Sequence, residues 1–114
     1  MLAVHRQIAE QAMSLMNGDI SRRITIPELA RACSTSPTVL KQAFREVHGE
    51  TIYQWLKRRR ADMAADMLAT SDLSIAQIAA TVGYSNPSKF SHAFSACKGM
   101  TPRAWRSAHR AALR

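Results

Sequence analysis

One pattern of caps and breakers occurs twice in this chain, and it dictates where helices start and stop. Ser74 followed three residues later by Gln77 is a capping-box spacing, in which each side chain satisfies a free backbone N–H near the other. A helix is therefore predicted from about residue 75 to 82. Gly83 then supplies the positive φ that a tight turn requires. Asn86 offers a side-chain oxygen to the next free N–H groups, and Pro87 sits where its missing N–H does no harm, so a second helix should begin there and end near Gly99. Inside it Phe90, Ala93, Phe94 and Cys97 fall at i, i+3, i+4 and i+7 and make one apolar stripe. Ser88, Ser91, His92 and Ser95 lie opposite.

The earlier copy covers residues 26–51, and a match of this length is not accidental. Ala30 corresponds to Ala79 at an offset of forty-nine, and beyond the turn Pro37, Leu40, Ala43, Phe44, Gly49 and Thr51 correspond to Pro87, Phe90, Ala93, Phe94, Gly99 and Thr101 at an offset of fifty. The second copy thus carries one extra residue, placed in the turn, where an insertion disturbs least. Each copy is a short helix, a turn and a helix with an apolar back and a polar front. That shape suits burial on one side and contact with base edges on the other.

At 114 residues the chain is one domain's worth, or two small lobes sharing a long helix. Its net charge of +8 is unevenly placed: all eight acidic residues lie at or before Asp72, and beyond it stand only Lys89, Lys98, Arg103, Arg106, Arg110 and Arg114. A wholly basic C-terminal lobe implies a polyanionic partner. Nucleic acid is favoured over a membrane, because no strongly amphipathic basic helix with a bulky apolar face stands alone. No run approaches the roughly 18 apolar residues of a membrane span, and Glu10 and Gln11 come too early for a secretory signal, so a cytoplasmic protein is expected. Cys33 and Cys97 fall on expected inward faces and are read as buried reduced thiols in preference to a disulfide or metal pair. His5, His48, His92 and His109 are scattered without metal-ligand spacing, and no glycine-rich phosphate loop occurs, so no catalysis, metal or cofactor is expected.

In chain order, residues from about 2 to 16 form a first helix with Ile8, Ala12, Leu15 and Met16 on one face and Asn17-Gly18 as its stop. Its expected task is to cover the core of the first lobe. Thr25 caps the second helix, with Pro27 in its first turn and Glu28 completing a capping box. Ser34-Thr35-Ser36 forms the turn, and Ser36 caps a helix beginning at Pro37 whose buried stripe is Leu40, Ala43, Phe44 and Val47. Thr38, Lys41, Gln42 and Arg45 make the opposite stripe. Those types suit major-groove reading: Gln bonds adenine bidentately, Lys or Arg bonds guanine, and Thr meets a thymine methyl. A solvated helix face shows the same pattern, and the capped repeat decides for the reader.

Residues 51–70 read as one helix with Ile52, Leu56, Met63, Met67 and Leu68 apolar and no Gly or Pro. Such a helix spans roughly 28 to 30 Å, a plausible spacer for readers about 34 Å apart on one duplex. A rigid spacer shorter than that distance would oblige the DNA to bend. It also carries Lys57-Arg58-Arg59-Arg60, either a solvated run or a set of phosphate contacts; Lys57 and Arg58 are the better phosphate candidates, and Arg59 or Arg60 is a candidate for a partly buried ion pair. Finally Thr101 caps and Pro102 opens a last helix carrying Ala104, Trp105 and Ala108 toward the core. Arg103 and Arg106 in its first turns are placed to hold a phosphate at the helix N-terminus.

The run IAATVGYSNPSKFSHAFSACKGMTPRAWR resembles the C-terminal signature of the AraC/XylS family of bacterial transcription regulators, and the resemblance extends over residues 24–106. It implies an all-α, seven-helix DNA-binding domain with two helix-turn-helix lobes (1–50 and 71–114) joined by a long linker helix (51–70), reading adjacent major-groove segments of promoter DNA. The family's base-contacting positions fall on Thr38, Lys41 and Gln42 in the first lobe and on Ser88, Lys89 and His92 in the second. Its backbone-clamping positions fall on Ser36, Asn86, Arg103 and Arg106. Family members often carry Arg where Gln42 stands, and apolar residues at Thr35 and Ala61. The resemblance further suggests activation through contact with RNA polymerase; in most of the family an N-terminal ligand-sensing or dimerising domain precedes this one and nothing like it is present in this chain, which is then expected to be either a stand-alone monomeric regulator or the reader of a longer one. The second reader is poor in long side chains, so it is expected to add affinity more than specificity.

Two other functions compete. One is a sequence-blind architectural DNA binder, which has no need of a doubled reader. The other is the DNA-reading fragment of a larger sensor or of an alkyl-transfer repair protein, whose cysteine chemistry Cys33 and Cys97 are badly placed to supply.

Overall fold

Every helix N-cap oxygen expected from the sequence accepts a backbone N–H in the computed structural model, which describes the backbone of residues 2–113 and the side chains of residues 3–110; the capping box expected of Thr25 and Glu28 forms only through the Thr25 hydroxyl. The helices run α1 (Leu2–Gly18), α2 (Ile26–Ala32), α3 (Pro37–His48), α4 (Ile52–Thr70), α5 (Ile75–Thr81), α6 (Pro87–Lys98) and α7 (Pro102–Leu113), with no strand among the described residues. Thr25 Oγ1 accepts from Glu28 N at 3.2 Å, Ser36 Oγ from Val39 N at 3.1 Å, and Thr101 Oγ1 from Ala104 N at 3.1 Å. Ser74 and Gln77 form the full capping box. Gly49 and Gly99 close α3 and α6 in the left-handed conformation, at φ 76° and 77°.

The chain divides into two compact units, Met1–Leu56 and Lys57–Arg114, and the division falls inside α4. In the first unit α1 and α2 both pack on α3. Ala9, Ala12 and Ala43 are fully buried, and their small size lets helix backbones approach closely around Leu29, Leu40 and Phe44. Ile52 and Trp55, from the first turn of α4, are buried with this group; Phe44 meets Trp55 edge-on at 6.3 Å and His48 at 4.6 Å. The His48 ring donates through Nε2 to Ala9 O at 3.2 Å, tying α3 to α1. Leu15 departs from expectation: it is 45% exposed, and Ala9 takes the inward place.

The second unit is built around Ala61, Ala64, Ala65 and Leu68 of α4, Ile78, Ala79 and Val82 from α5 and its end, and Phe90 and Phe94 of α6. Phenyl rings stand where the first repeat has Leu40 and Phe44, and the three alanines of α4 make room for the larger volume. A chain of ring contacts runs Tyr84 to Phe90 (5.7 Å), Phe90 to Phe94 (5.8 Å) and Phe94 to Trp105 (5.9 Å), and Trp105 donates through Nε1 to Ala65 O at 3.2 Å.

Three side chains expected in this core lie elsewhere. Cys97 is exposed, because the buried stripe of α6 ends at Phe94 and Ala93 is only half-buried. Ala104 and Ala108 are exposed too, since the inward face of α7 is Pro102, Trp105, Arg106, His109 and Arg110. Cys33 is buried as expected, and desolvation pushes its thiol pKa up.

The two turns share one geometry. Ser34 at φ 56° takes the place that Gly83 holds at φ 107°. Thr35 N donates to Ala30 O at 3.0 Å, and Tyr84 N to Ala79 O at 2.8 Å. The repeat thus holds to the hydrogen bond, and the extra residue of the second turn falls after it.

Candidate nucleic-acid interface

Because Leu40, Ala43 and Phe44 fix the back of α3 with no exposed surface, the helix has no freedom to roll about its axis. Thr38, Lys41, Gln42 and Arg45 are consequently all exposed along its front. Ser36 begins this face; its hydroxyl oxygen accepts from Val39 N, and the hydroxyl proton remains available to a ligand at the same helix end. Two residues not singled out in the sequence join the face. Gln42 Nε2 donates to Glu46 Oε1 at 3.5 Å, and His5 Nδ1 of α1 donates to Glu46 Oε2 at 2.7 Å. The i, i+4 spacing of Gln42 and Glu46 was the available sequence signal for the first contact. The second needed the packing of α1 on α3.

In α6 the same logic presents Ser88, Lys89 and His92, all exposed, with Ser91 and Ser95 half-buried beside them. Pro87, Ser88, Ser91, His92 and Ser95 together line a shallow, open concavity. Asn86 Oδ1 accepts from Ser88 N at 2.8 Å and Lys89 N at 3.2 Å, which leaves the Asn86 amide donors at the helix entrance. Lys89 is the one basic side chain on this front, against Lys41 and Arg45 on α3. At the far end of α6, Lys98 is half-buried and engaged within the protein: its Nζ lies 2.6 Å from Asp62 Oδ1 and 5.5 Å from the Trp105 ring centroid.

The residues expected to touch phosphate separate into two kinds. Arg103 is exposed in the first turn of α7, next to the N–H groups of that helix end. Arg58 is exposed and 4.0 Å from Asp62, while Lys57 and Arg59 are half-buried and the Arg60 guanidinium lies 5.6 Å from the Tyr84 ring centroid. Arg106 is different. Its Nε donates to Leu68 O at 3.1 Å and its Nη2 to Ser71 O at 3.1 Å and Leu73 O at 2.6 Å. Those are the carbonyls at and beyond the end of α4, so Arg106 caps a helix C-terminus instead of lying open to a phosphate. Arg110 pairs with Asp72 in the same connection, and that pairing holds the Asp72 carboxyl below its ordinary pKa.

Charge follows the division into units. The first holds six basic and five acidic residues; the second holds ten and three. Among the described residues no cluster of three or more potential metal ligands occurs, and no helix is long and apolar enough to cross a membrane.

Residues 29–108 match the model of a helix-turn-helix domain family. The HTH-type transcriptional activator RhaR of Cronobacter sakazakii is 33% identical over 100 residues, covering 84% of this chain and 35% of its own. The chain spans only 14% of the YtdP regulator of Bacillus subtilis, and about a third of the length of RhaR and several other curated relatives it matches. Among solved structures, the C-terminal domain of AraT, a response regulator from Geobacillus stearothermophilus, superposes with a TM-score of 0.86 at 27% identity, covering 89% of this chain and 84% of that one. The DNA-binding domain of AdpA, a global transcriptional factor solved in complex with a target DNA, gives the same TM-score and identity and covers 93% of this chain and 95% of that one.

Proposed function

Because this chain belongs to the helix-turn-helix family of AraC-type DNA-binding domains, we propose that it binds double-stranded promoter DNA sequence-specifically and regulates transcription, as an activator, in the bacterial cytoplasm. Two readers do the work. The front of α3 offers Thr38, Lys41, Gln42 and Arg45 to base edges in one major-groove segment, and the front of α6 offers Ser88, Lys89 and His92 to the next. Ser36, Asn86, Lys57, Arg58 and Arg103 hold phosphates and so set register without reading sequence. The chain performs no catalysis itself. In a longer regulator a sensor domain would supply the signal, and contact with RNA polymerase would carry the output.

The observation that carries this reading is the doubled front: in both repeats a capped helix with a buried back leaves the group-specific side chains exposed on one stripe. The AdpA domain, with this fold, has been solved on its target DNA. Selection of bound duplexes from a random-sequence library at near-physiological salt tests it. An asymmetric, two-part site with halves about 10 base pairs apart is expected. Binding without enrichment, fading steeply as salt rises, would instead mark a sequence-blind DNA binder.

A further inference from the structure

We infer that Glu46, held by His5, is a positioning residue that gives Gln42 its preference for adenine over guanine. The inference rests on the reading of α3 as a base reader. A glutamine amide carries an acceptor oxygen and two N–H donors, and when unrestrained it can turn either toward a base. Adenine presents an acceptor, N7, beside a donor, N6–H; guanine presents two acceptors, N7 and O6. A carboxylate is acceptor-only, so the end of Gln42 facing Glu46 Oε1 at 3.5 Å has to be Nε2. One amide hydrogen is thereby engaged, and what remains is one N–H together with Oε1. That couple matches adenine and lacks the second donor that guanine would use.

Glu46 can serve as this anchor because it is itself fixed. Its other oxygen, Oε2, accepts from His5 Nδ1 at 2.7 Å, and the His5 side chain is only 12% exposed against 39% for Glu46. Both carboxylate oxygens therefore have defined partners, one on α1 and one on α3. The chain of contacts runs from a packed helix to the reading face, the arrangement by which a flexible side chain is held in a productive geometry. An exposed carboxylate on a DNA-facing helix also opposes phosphate, so it weakens binding in general while it sharpens one choice.

The test compares wild type, Glu46→Ala, His5→Ala and Gln42→Ala in duplex selection, followed by binding to paired duplexes that differ only by A or G at the position whose preference Gln42→Ala abolishes. The inference predicts that Glu46→Ala lowers the A-to-G preference at that position at least about fivefold. It also predicts that affinity for unrelated duplexes is unchanged or higher, and that His5→Ala causes a smaller drop in the same ratio. An unchanged ratio in Glu46→Ala overturns the inference. So does a uniform loss of affinity with the ratio intact, which is the mark of a merely structural role. If Gln42→Ala changes no position of the selected site, the reading of Gln42 fails with it; if Gln42→Ala changes one and Glu46→Ala does not, only the inference fails.

Discussion

Ser34 holds a left-handed backbone, φ 56°, at the turn position where the second repeat uses Gly83. An L-residue there is strained by about 1–2 kcal/mol, and glycine would give back roughly 0.5–1 kcal/mol through the entropy of the unfolded chain. Because Ser34 is exposed, Ser34→Gly removes no packing and should stabilise the protein by about 0.5–1 kcal/mol, read as a rise in thermal midpoint. A lower midpoint would mean that the serine side chain holds the turn. On the reading faces, Gln42→Ala should cost about 1–3 kcal/mol of discrimination at one base position. His92→Ala, on a front with shorter and less charged side chains, should weaken binding to all duplexes alike. Selection profiles of the two variants check this, and equal losses of discrimination would contradict it. The turn and the faces differ in how far sequence reveals them: Thr38, Lys41, Gln42 and Arg45 follow from helical spacing alone, whereas a positive φ at a serine has no sequence marker and is visible only by aligning the repeats.

At the scale of the element, α7 shows why hydrophobic pattern misplaces an inward face. Ala104 and Ala108 read as core and are exposed, while Arg106, His109 and Arg110 point inward, because their polar ends meet groups that pattern does not display. His109 stacks on Trp105 at 3.8 Å with Nδ1 2.9 Å from Trp105 O, and Arg106 closes the end of α4. The two arginines of α7's first turns should therefore part company. Arg106→Ala leaves three carbonyls short of a donor and should destabilise the second unit by about 2–3 kcal/mol with the salt dependence of DNA binding intact. Arg103→Ala should change stability by less than about 0.5 kcal/mol and reduce the slope of log affinity against log salt by about one. Denaturant unfolding and binding across a salt series measure both; a smaller salt slope in Arg106→Ala would return that residue to the phosphate set. The Arg110 contact also fixes a pH response. The hydrogen bond and charge of Arg110 lower the Asp72 pKa below 3.8, and the hydroxyl of Ser21 lowers that of Asp19. Protonation therefore favours the unfolded chain: the stabilisation is complete above pH 3.8 and is lost as pH falls below it through the folded-state pKa values. Asp72→Asn should remove the Asp72 share of this acid limb, leave the Asp19 share in place, and leave stability above about pH 5 without pH dependence from this site.

For the whole molecule, the six helices after α1 and both turns are legible in the sequence because they are bounded by local chemistry: a capping oxygen, a proline at a first turn, or a glycine at a left-handed end; α1 shows only its apolar face and ends at Gly18 without a left-handed turn. Long-range contacts had no such marker. Arg106 reaches carbonyls more than thirty residues away, and Lys98 finds Asp62 at a separation of 36. His5 meets Glu46 across 41. Cys97 shares the azimuth of Phe90, yet it lies beyond the last buried turn of α6, and helical spacing gives direction without depth. The uneven charge was also visible early, and it supports a polyanion partner for the second unit without saying which side chains touch it.

Interference by methylation of guanine N7 across the selected DNA site tests the central claim, that two exposed helix fronts read base edges, because that atom is a major-groove contact point and carries no phosphate. Two clusters of interfering positions are expected about one helical turn apart on one face of the duplex, with the cluster assigned to α3 altered by Lys41→Ala or Arg45→Ala, the guanine-reading types on that front. Binding that tolerates methylation throughout the site, and is blocked only by modification of phosphates, would contradict it.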